Sequence, residues 1–332
     1  EGAQSAENPE DLFAFNEKHP RPPWLKTSAQ LETELVGIMG RQIDKLAPES
    51  TSAAWEAARA FLLASLKVRV GLVNPASEEV ASQLVRATSQ SALNVKHYLV
   101  GRRTSGEQIP TVCFRPEHAT GHATLLFTPN GKANLVKEDG QPTALVQALL
   151  DRGETVIGFD PLLVGESIDP STPAHRRPDT YVFDCYNPTL AADRAQDLAT
   201  VIAWARAQPD LLFVSLVAEG SCGPLALLAR PALEGLARTA IDLNGFDYAD
   251  GSADVPPALD LPGVLQFGGP KVAAALTCPA PLWIYHAPDS FDTKWPVKAY
   301  ARADQPGLLR IDSQEPEPAA LAGWIVSGET TR

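Results

Sequence analysis

The stretch "LLFVSLVAEGSCGPLALLARPAL", Leu211–Leu233, decides how the rest of the chain is read. Its first seven residues form an apolar run interrupted only by Ser215, the pattern of a strand buried on both faces within a parallel sheet. The run ends in Glu219, Gly220, Ser221, Cys222 and Gly223, and a helical pattern opens at once behind them. A buried strand that turns straight into a helix lifts one side chain above the sheet edge, and the turn tolerates only small neighbours. Ser221 is therefore either a nucleophile on a strand-to-helix elbow or a small residue filling a tight turn. The five residues depart from G-x-S-x-G at the first glycine, where Glu219 stands.

Outward from this stretch the chain alternates strands and helices. "NVKHYLVGRR" and "IPTVCFRP" show the period-two alternation of antiparallel strands. "HATLLFTPNG" is a short buried-type run, "TALVQALLDRG" a helix closed by Gly153, and "ETVIGFD" the next strand. After the long loop "PLLVGESIDPSTPAHRRPDTYVFDCYNP" come helix "LAADRAQDLATVIAWARAQ", strand "LLFVSLVA", helix "GPLALLARPALEGLA" and strand "RTAIDL". Strand "PLWIYH", helix "TKWPVKAYARA", strand "GLLRID" and helix "EPAALAGWIVSG" close the chain. This order implies an α/β fold, a doubly wound and mainly parallel sheet with helices on both faces.

The expected organisation is a helical N-terminal extension or junction over residues 1–90 and an α/β domain over 91–332. In the extension, the proline-stiffened "KHPRPPW" leads into a helix that Ser28 can cap, with Leu31, Leu35, Ile38, Met39 and Ile43 on one face. "SAAWEAARAFLLASLKV" is a second amphipathic helix. Neither helix carries a polar cluster suited to chemistry.

Composition narrows the function. A net charge of −12 over 332 residues argues against a nucleic-acid partner, which needs a basic face. No apolar run reaches the ~18 residues of a membrane span. Cys113, Cys185, Cys222 and Cys278 lack the close spacing of metal or redox motifs, so buried free thiols are expected, with neither metal nor cofactor. A start at Glu1 without methionine is the pattern of a processed or an excised chain, which leaves export open, and the expected location is secreted or periplasmic.

The ordered elements over residues 90–330 resemble the α/β-hydrolase superfamily, and more narrowly its acetyl xylan esterase-like and dienelactone hydrolase-like group. The resemblance rests on "LLFTPNGKA", "VIGFDPLLVGES", "CYNPTLAADRAQDLATVIAWARA", "AEGSCGPLALLA" and "CPAPLWIYHAPDSFD", in that order. "NEKHPRP" is similar to the junction ahead of a second hydrolase-like domain in two-domain members. The resemblance implies Ser221 as nucleophile, with the N–H groups of Cys222 and Asn130 as oxyanion donors, since Pro129 has none. It implies an acid in "HAPDSFD", Asp289 first and Asp292 second, or, after the preceding strand, Asp242 or Asp247.

The general base is where this chain departs from the group. The fold places a histidine in the loop after the last strand, but "LLRIDSQEPEPAALAG" has none, and His286 is the last histidine of the chain. His286 ends a strand at the carboxyl edge of the sheet, where it can be a recruited base or a support for the turn. His175, beside Arg176 and Arg177, can arch over the elbow from the long loop, and Glu219 is adjacent to the serine.

Two readings follow. The first is a serine carboxylic-ester hydrolase acting on small acyl groups of a carbohydrate or similar ester. The second is a non-catalytic hydrolase-like domain with an incomplete triad, supporting an upstream catalytic domain or partner. Without its base a serine hydroxyl is a poor nucleophile, so weak or absent turnover by this chain alone is expected.

Overall fold

The computed structural model describes residues 13–48, 52–90, 93–168, 186–248 and 255–327. Contacts divide the chain into Glu1–Lys45 and Leu46–Arg332. The first unit carries helix α1 (Ser28–Asp44), and its N-cap is Thr27 rather than the expected Ser28. The reason is a reciprocal capping box. Gln30 N–H donates to Thr27 Oγ1 at 3.3 Å, and Thr27 N–H donates to Gln30 Oε1 at 2.9 Å.

In the second unit, α2 (Ser52–Val70) buries Trp55, Ala58, Leu62, Leu66 and Val70 along one stripe. A nine-stranded sheet follows, built from β1 (Val80–Gln90), β2 (Leu93–Arg102), β3 (Ile109–Pro116), β4 (His122–Phe127), β5 (Thr155–Phe159), β6 (Phe213–Ala218), β7 (Leu236–Asp242), β8 (Leu282–Tyr285) and β9 (Leu309–Ile311). Its order is β1-β2-β3-β5-β4-β6-β7-β8-β9. Strands β1, β2, β3 and β5 pair antiparallel, and β5 through β9 pair parallel. The sheet thus begins at Val80, upstream of the expected residue-91 boundary.

The helices of this unit include α3 (Ala144–Leu150), α4 (Leu190–Arg206), α5 (Gly223–Ala229), α6 (Gly269–Thr277), α7 (Lys294–Arg302) and α8 (Pro318–Val326). Helices α3 and α8 pack together against Val112, Leu126, Val156, Val217, Ala240 and Trp283, which line one face of the sheet. On the other face α5 sits among α2, α4 and α6. Strand β6 is interior, with β4 on one side and β7 on the other, as its apolar run requires.

The strand order reverses around β4. The chain leaves β4 through α3 to β5 on one side, and α4 brings it back to β6 on the other. At such a reversal the loops after neighbouring parallel strands diverge to opposite faces, opening a crevice at the carboxyl ends. Here those loops are the turn after β4, at Thr128–Asn130, and the turn after β6, at Glu219–Cys222.

Candidate functional site

Two glycines shape the turn after β6 for different reasons. A Cβ on Gly223 would lie 1.6 Å from the Asp242 carbonyl oxygen, so only glycine lets α5 start against the end of β7. Gly220 is left-handed, with φ +55°, and a Cβ there would stand 3.0 Å from Pro129 Cγ. Gly220 is the only left-handed residue between Ala218 and Gly223. Ser221 comes one residue later, inside the 3₁₀ turn Gly220–Cys222, and is exposed. Its hydroxyl makes no hydrogen bond among the described residues.

The Cys222 N–H closes that turn by donating to the Glu219 carbonyl at 3.2 Å. Burial pushes the Cys222 thiol up to about 12, so it behaves as a small apolar group. Asn130 is exposed beside Pro129, and its N–H makes no backbone hydrogen bond among the described residues, whereas Gly131 N–H donates to Thr128 at 3.0 Å. The loop after β4 therefore borders the turn after β6 through the Pro129–Gly220 contact.

Asp242, the buried last residue of β7, ties the region together. Its Oδ2 accepts from Gly220 N–H at 2.8 Å, and its Oδ1 accepts from Asn244 N–H at 2.7 Å. His286 Nδ1 lies 3.2 Å from the same Oδ1. The ring's Nε2 faces Gly245, 3.8 Å from where a Cβ would stand. His286 itself is left-handed (φ +50°), and its carbonyl accepts from Gly245 N–H at 2.9 Å, so backbone and ring both fasten the loops after β7 and β8.

The other sequence-derived acids sit elsewhere. Asp289 is exposed in the loop after β8, and the carboxylate that meets His286 is Asp242. Asp292 accepts from Lys294 N–H at 3.0 Å and from Lys271 Nζ at 3.3 Å, bracing the start of α7. Asp247 lies farther along the loop after β7, while His175, Arg176, Arg177 and Cys185 fall outside the described residues. Cys113, Cys222 and Cys278 are free thiols. After β9, Asp312 accepts from Trp283 Nε1 at 2.8 Å and Arg310 Nε at 2.7 Å, and Gln314 offers only its carbonyl toward His286 N–H, at 3.4 Å.

Glu219 is half-buried beneath this group, and burial first, then repulsion from Asp242 and Glu315, raises its carboxyl to about 7. A folded-state value above the ordinary 4.5 means that the folded chain holds the proton more tightly. The associated stability is present below pH 4.5 and is lost as pH rises through about 7. Glu219→Gln is accordingly expected to match the wild type in denaturant unfolding near pH 4.5. Above pH 8 it should be more stable by about 2–3 kcal/mol. A difference that does not change with pH would contradict this account.

Sequence reading passed over a second anchor. Asp160, buried at the end of β5, accepts from Lys132 N–H at 2.9 Å, from Glu166 N–H at 2.8 Å and from Lys132 Nζ. Lys132 Nζ also donates to Glu166 Oε2 at 2.7 Å. This staple sets the loop that carries Asn130. Its only sequence signal is an aspartate at a strand end, in "VIGFDPLLVGES".

Neither a family model nor a curated protein sequence matches the chain. Solved structures do. A Bacteroides fragilis protein provisionally named an acetyl xylan esterase superposes with a TM-score of 0.66 at 11% identity, covering 95% of this chain and 92% of that one. The chain has the α/β-hydrolase fold. The methylesterase BT1017 superposes at 0.59 with 16% identity over 86% of this chain, which spans only 64% of that longer protein. A Solibacter usitatus glucuronoyl esterase gives 0.54 at 12% identity, covering 83% of this chain and 93% of its own. The hydrolase fold expected from the order of elements is therefore present. Among the described residues no helix is long and apolar enough to cross a membrane, and no metal-binding group of three or more His, Cys, Asp or Glu side chains occurs.

Proposed function

We propose that this chain is a carboxylic-ester-hydrolase-like domain whose elbow does not run serine chemistry on its own. It supports a catalytic hydrolase domain or partner that acts on small acyl esters, with an acylated carbohydrate as the substrate class. One observation carries the reading: the left-handed residue of the elbow is Gly220, and Ser221 stands one place into the following turn. In a nucleophile elbow the reactive side chain is the one raised on the strained residue itself. Glycine there presents no side chain. The loop after β9, which has no histidine, supports the same reading.

The resemblance to esterases supports the substrate class, and the exposed Asn130 stands on the loop beside Gly220. A rearranged triad of Ser221, His286 and Asp242, with Asn130 and Cys222 as oxyanion donors, is the competing reading. The 3.2 Å contact between His286 and Asp242 favours it.

Hydrolysis of 4-nitrophenyl acetate by the wild type, Ser221→Ala and His286→Ala separates the two. Removing the serine or the base from a working triad costs about 10⁶ in kcat. The expected result is slow turnover that differs by less than about twofold among the three proteins, since no such unit is intact. Fast turnover abolished in both variants would establish the rearranged triad and overturn the supporting role.

A further inference from the structure

A cavity of about 510 Å³ lies over the β1–β2–β3 end of the sheet, and none of Ser221, Cys222, Asn130, Asp242 or His286 lines it. The strand register puts its floor on one face. Arg86 pairs with His97, Thr88 with Val95, His97 with Val112, and Val95 with Phe114. Leu93 and Val95 continue the apolar face of the core outward, beyond the cover of α3 and α8, and Val136 from the loop after β4 forms a wall. The volume suits one small organic ligand.

The polar end of the cavity is specific in charge. Arg86 Nη2 lies 2.9 Å from His97 Nε2. A guanidinium only donates, so the imidazole accepts through Nε2 and is neutral. Burial, then the charges of Arg86 and Lys132, hold His97 below its ordinary value, with only a lesser opposing pull from Glu166. The potential at the ring is thus positive. Lys132 is committed to Asp160 and Glu166. Arg86 forms no ion pair with a carboxylate among the described residues, and it is exposed at the rim.

We propose that this cavity binds a small molecule made of an apolar body and a single carboxylate, the body lying on Val95, Val112 and Phe114 and the carboxylate paired with Arg86. A planar guanidinium takes a carboxylate in two parallel hydrogen bonds. One negative charge balances Arg86, whereas a phosphate dianion brings a second charge toward Glu166, and among the described lining residues the other cation, Lys132, is already paired.

Isothermal titration with 4-phenylbutyrate, octanoate and 4-phenylbutanol tests the assignment on the intact chain. At least one of the two acids should bind saturably at one site, and the alcohol at least about tenfold more weakly, the scale of one charge-assisted contact. Whichever acid binds more tightly identifies the body as aromatic or aliphatic. Arg86→Gln, an exposed position whose folding is checked by circular dichroism, should bring the acid down to the affinity of the alcohol. Thr88→Trp should fill the cavity and abolish both, while Ser221→Ala should change neither. Bound acid should also raise the His97 titration midpoint seen by NMR, because the new anion offsets Arg86. The assignment is overturned by equal affinity for acid and alcohol, by wild-type affinity in Arg86→Gln, or by no saturation with either acid up to about 10 mM, a limit near 2.7 kcal/mol of binding. Binding that persists in Thr88→Trp and vanishes in Ser221→Ala would overturn it as well, and would place the ligand at the elbow.

Discussion

Gly223→Ala is expected to lower the thermal midpoint by roughly 10 °C, a loss of about 3–5 kcal/mol for a chain of this size. Propensity argues the other way, since alanine is favoured over glycine in a helix by about 1 kcal/mol. The local geometry decides. A methyl at Gly223 would stand 1.6 Å from the Asp242 carbonyl oxygen, 2.6 Å from its carbonyl carbon and 3.3 Å from its Cα. These are backbone atoms and cannot rotate away, so the start of α5 must lift off the end of β7. That displacement also strains the bond from Gly220 N–H to the Asp242 carboxylate, which fixes the elbow. Gly307→Ala is the control, because a Cβ there meets nothing within 4 Å. It should stay within about 0.5 kcal/mol of the wild type, as ordinary surface changes do. Differential scanning calorimetry of the three proteins measures both effects, and a Gly223→Ala midpoint within a degree or two of the control would refute the contact.

The sheet was largely legible because its central strands announce themselves chemically. "VSLVA" and "TVIGF" are buried on both faces and read as nearly unbroken apolar runs, whereas the expected strand start at Leu211 and Leu212 falls in the loop ahead of β6, with Leu212 exposed. The first half of β2 alternates as an antiparallel strand does, while β3 is buried on both faces over most of its length. Strand β1, "VASQLVRATSQ", gave no such signal. It is an edge strand with a register shift between Leu84 and Arg86 and mostly exposed side chains, held by its pairing with β2. Thr27 and Ser28 are both good cap residues, and only the position of Gln30 separates them.

The site was legible in its ingredients and not in its register. Gly220 and Ser221 are adjacent, and the spacing of the G-x-S-x-G pattern does not by itself say which of them takes the left-handed turn. Glycine adopts that conformation without a steric cost, so a glycine next to the serine takes the strained position. Likewise Asp242, Asp289 and Asp292 were all chemically eligible partners for His286. The choice depends on β7 and β8 being neighbours, with Asp242 opposite Tyr285, which places the next residue, His286, beside the aspartate. Lateral strand order is a tertiary fact, and no local pattern encodes it.

Asp160 is where a single carboxylate holds two loops, and its removal should show how much of the crevice depends on it. Gly131 and Gly165 press on it from opposite loops. A Cβ on Gly131 would lie 2.2 Å from Oδ1 and one on Gly165 2.4 Å from Oδ2, and both glycines are left-handed. The carboxylate accepts from two backbone N–H groups and an ammonium, all donors, so every lone pair facing them must remain an acceptor. Asp160→Asn is nearly isosteric, but it turns an NH₂ group toward one of these donors. It should therefore cost about 3–5 kcal/mol, as breaking a buried charge pair does. Asp160→Ala should cost about the same, by leaving the donors unpaired. Lys132→Met should recover part of the loss when combined with Asp160→Asn, because it removes one donor and the charge that Asp160 balances. The cycle is measured by urea unfolding, together with binding of the acid probe to the cavity that Asp160 and Lys132 both line. Full additivity across the cycle, or an Asp160→Asn variant within about 1 kcal/mol of the wild type, would mean that the loops hold their shape without the carboxylate.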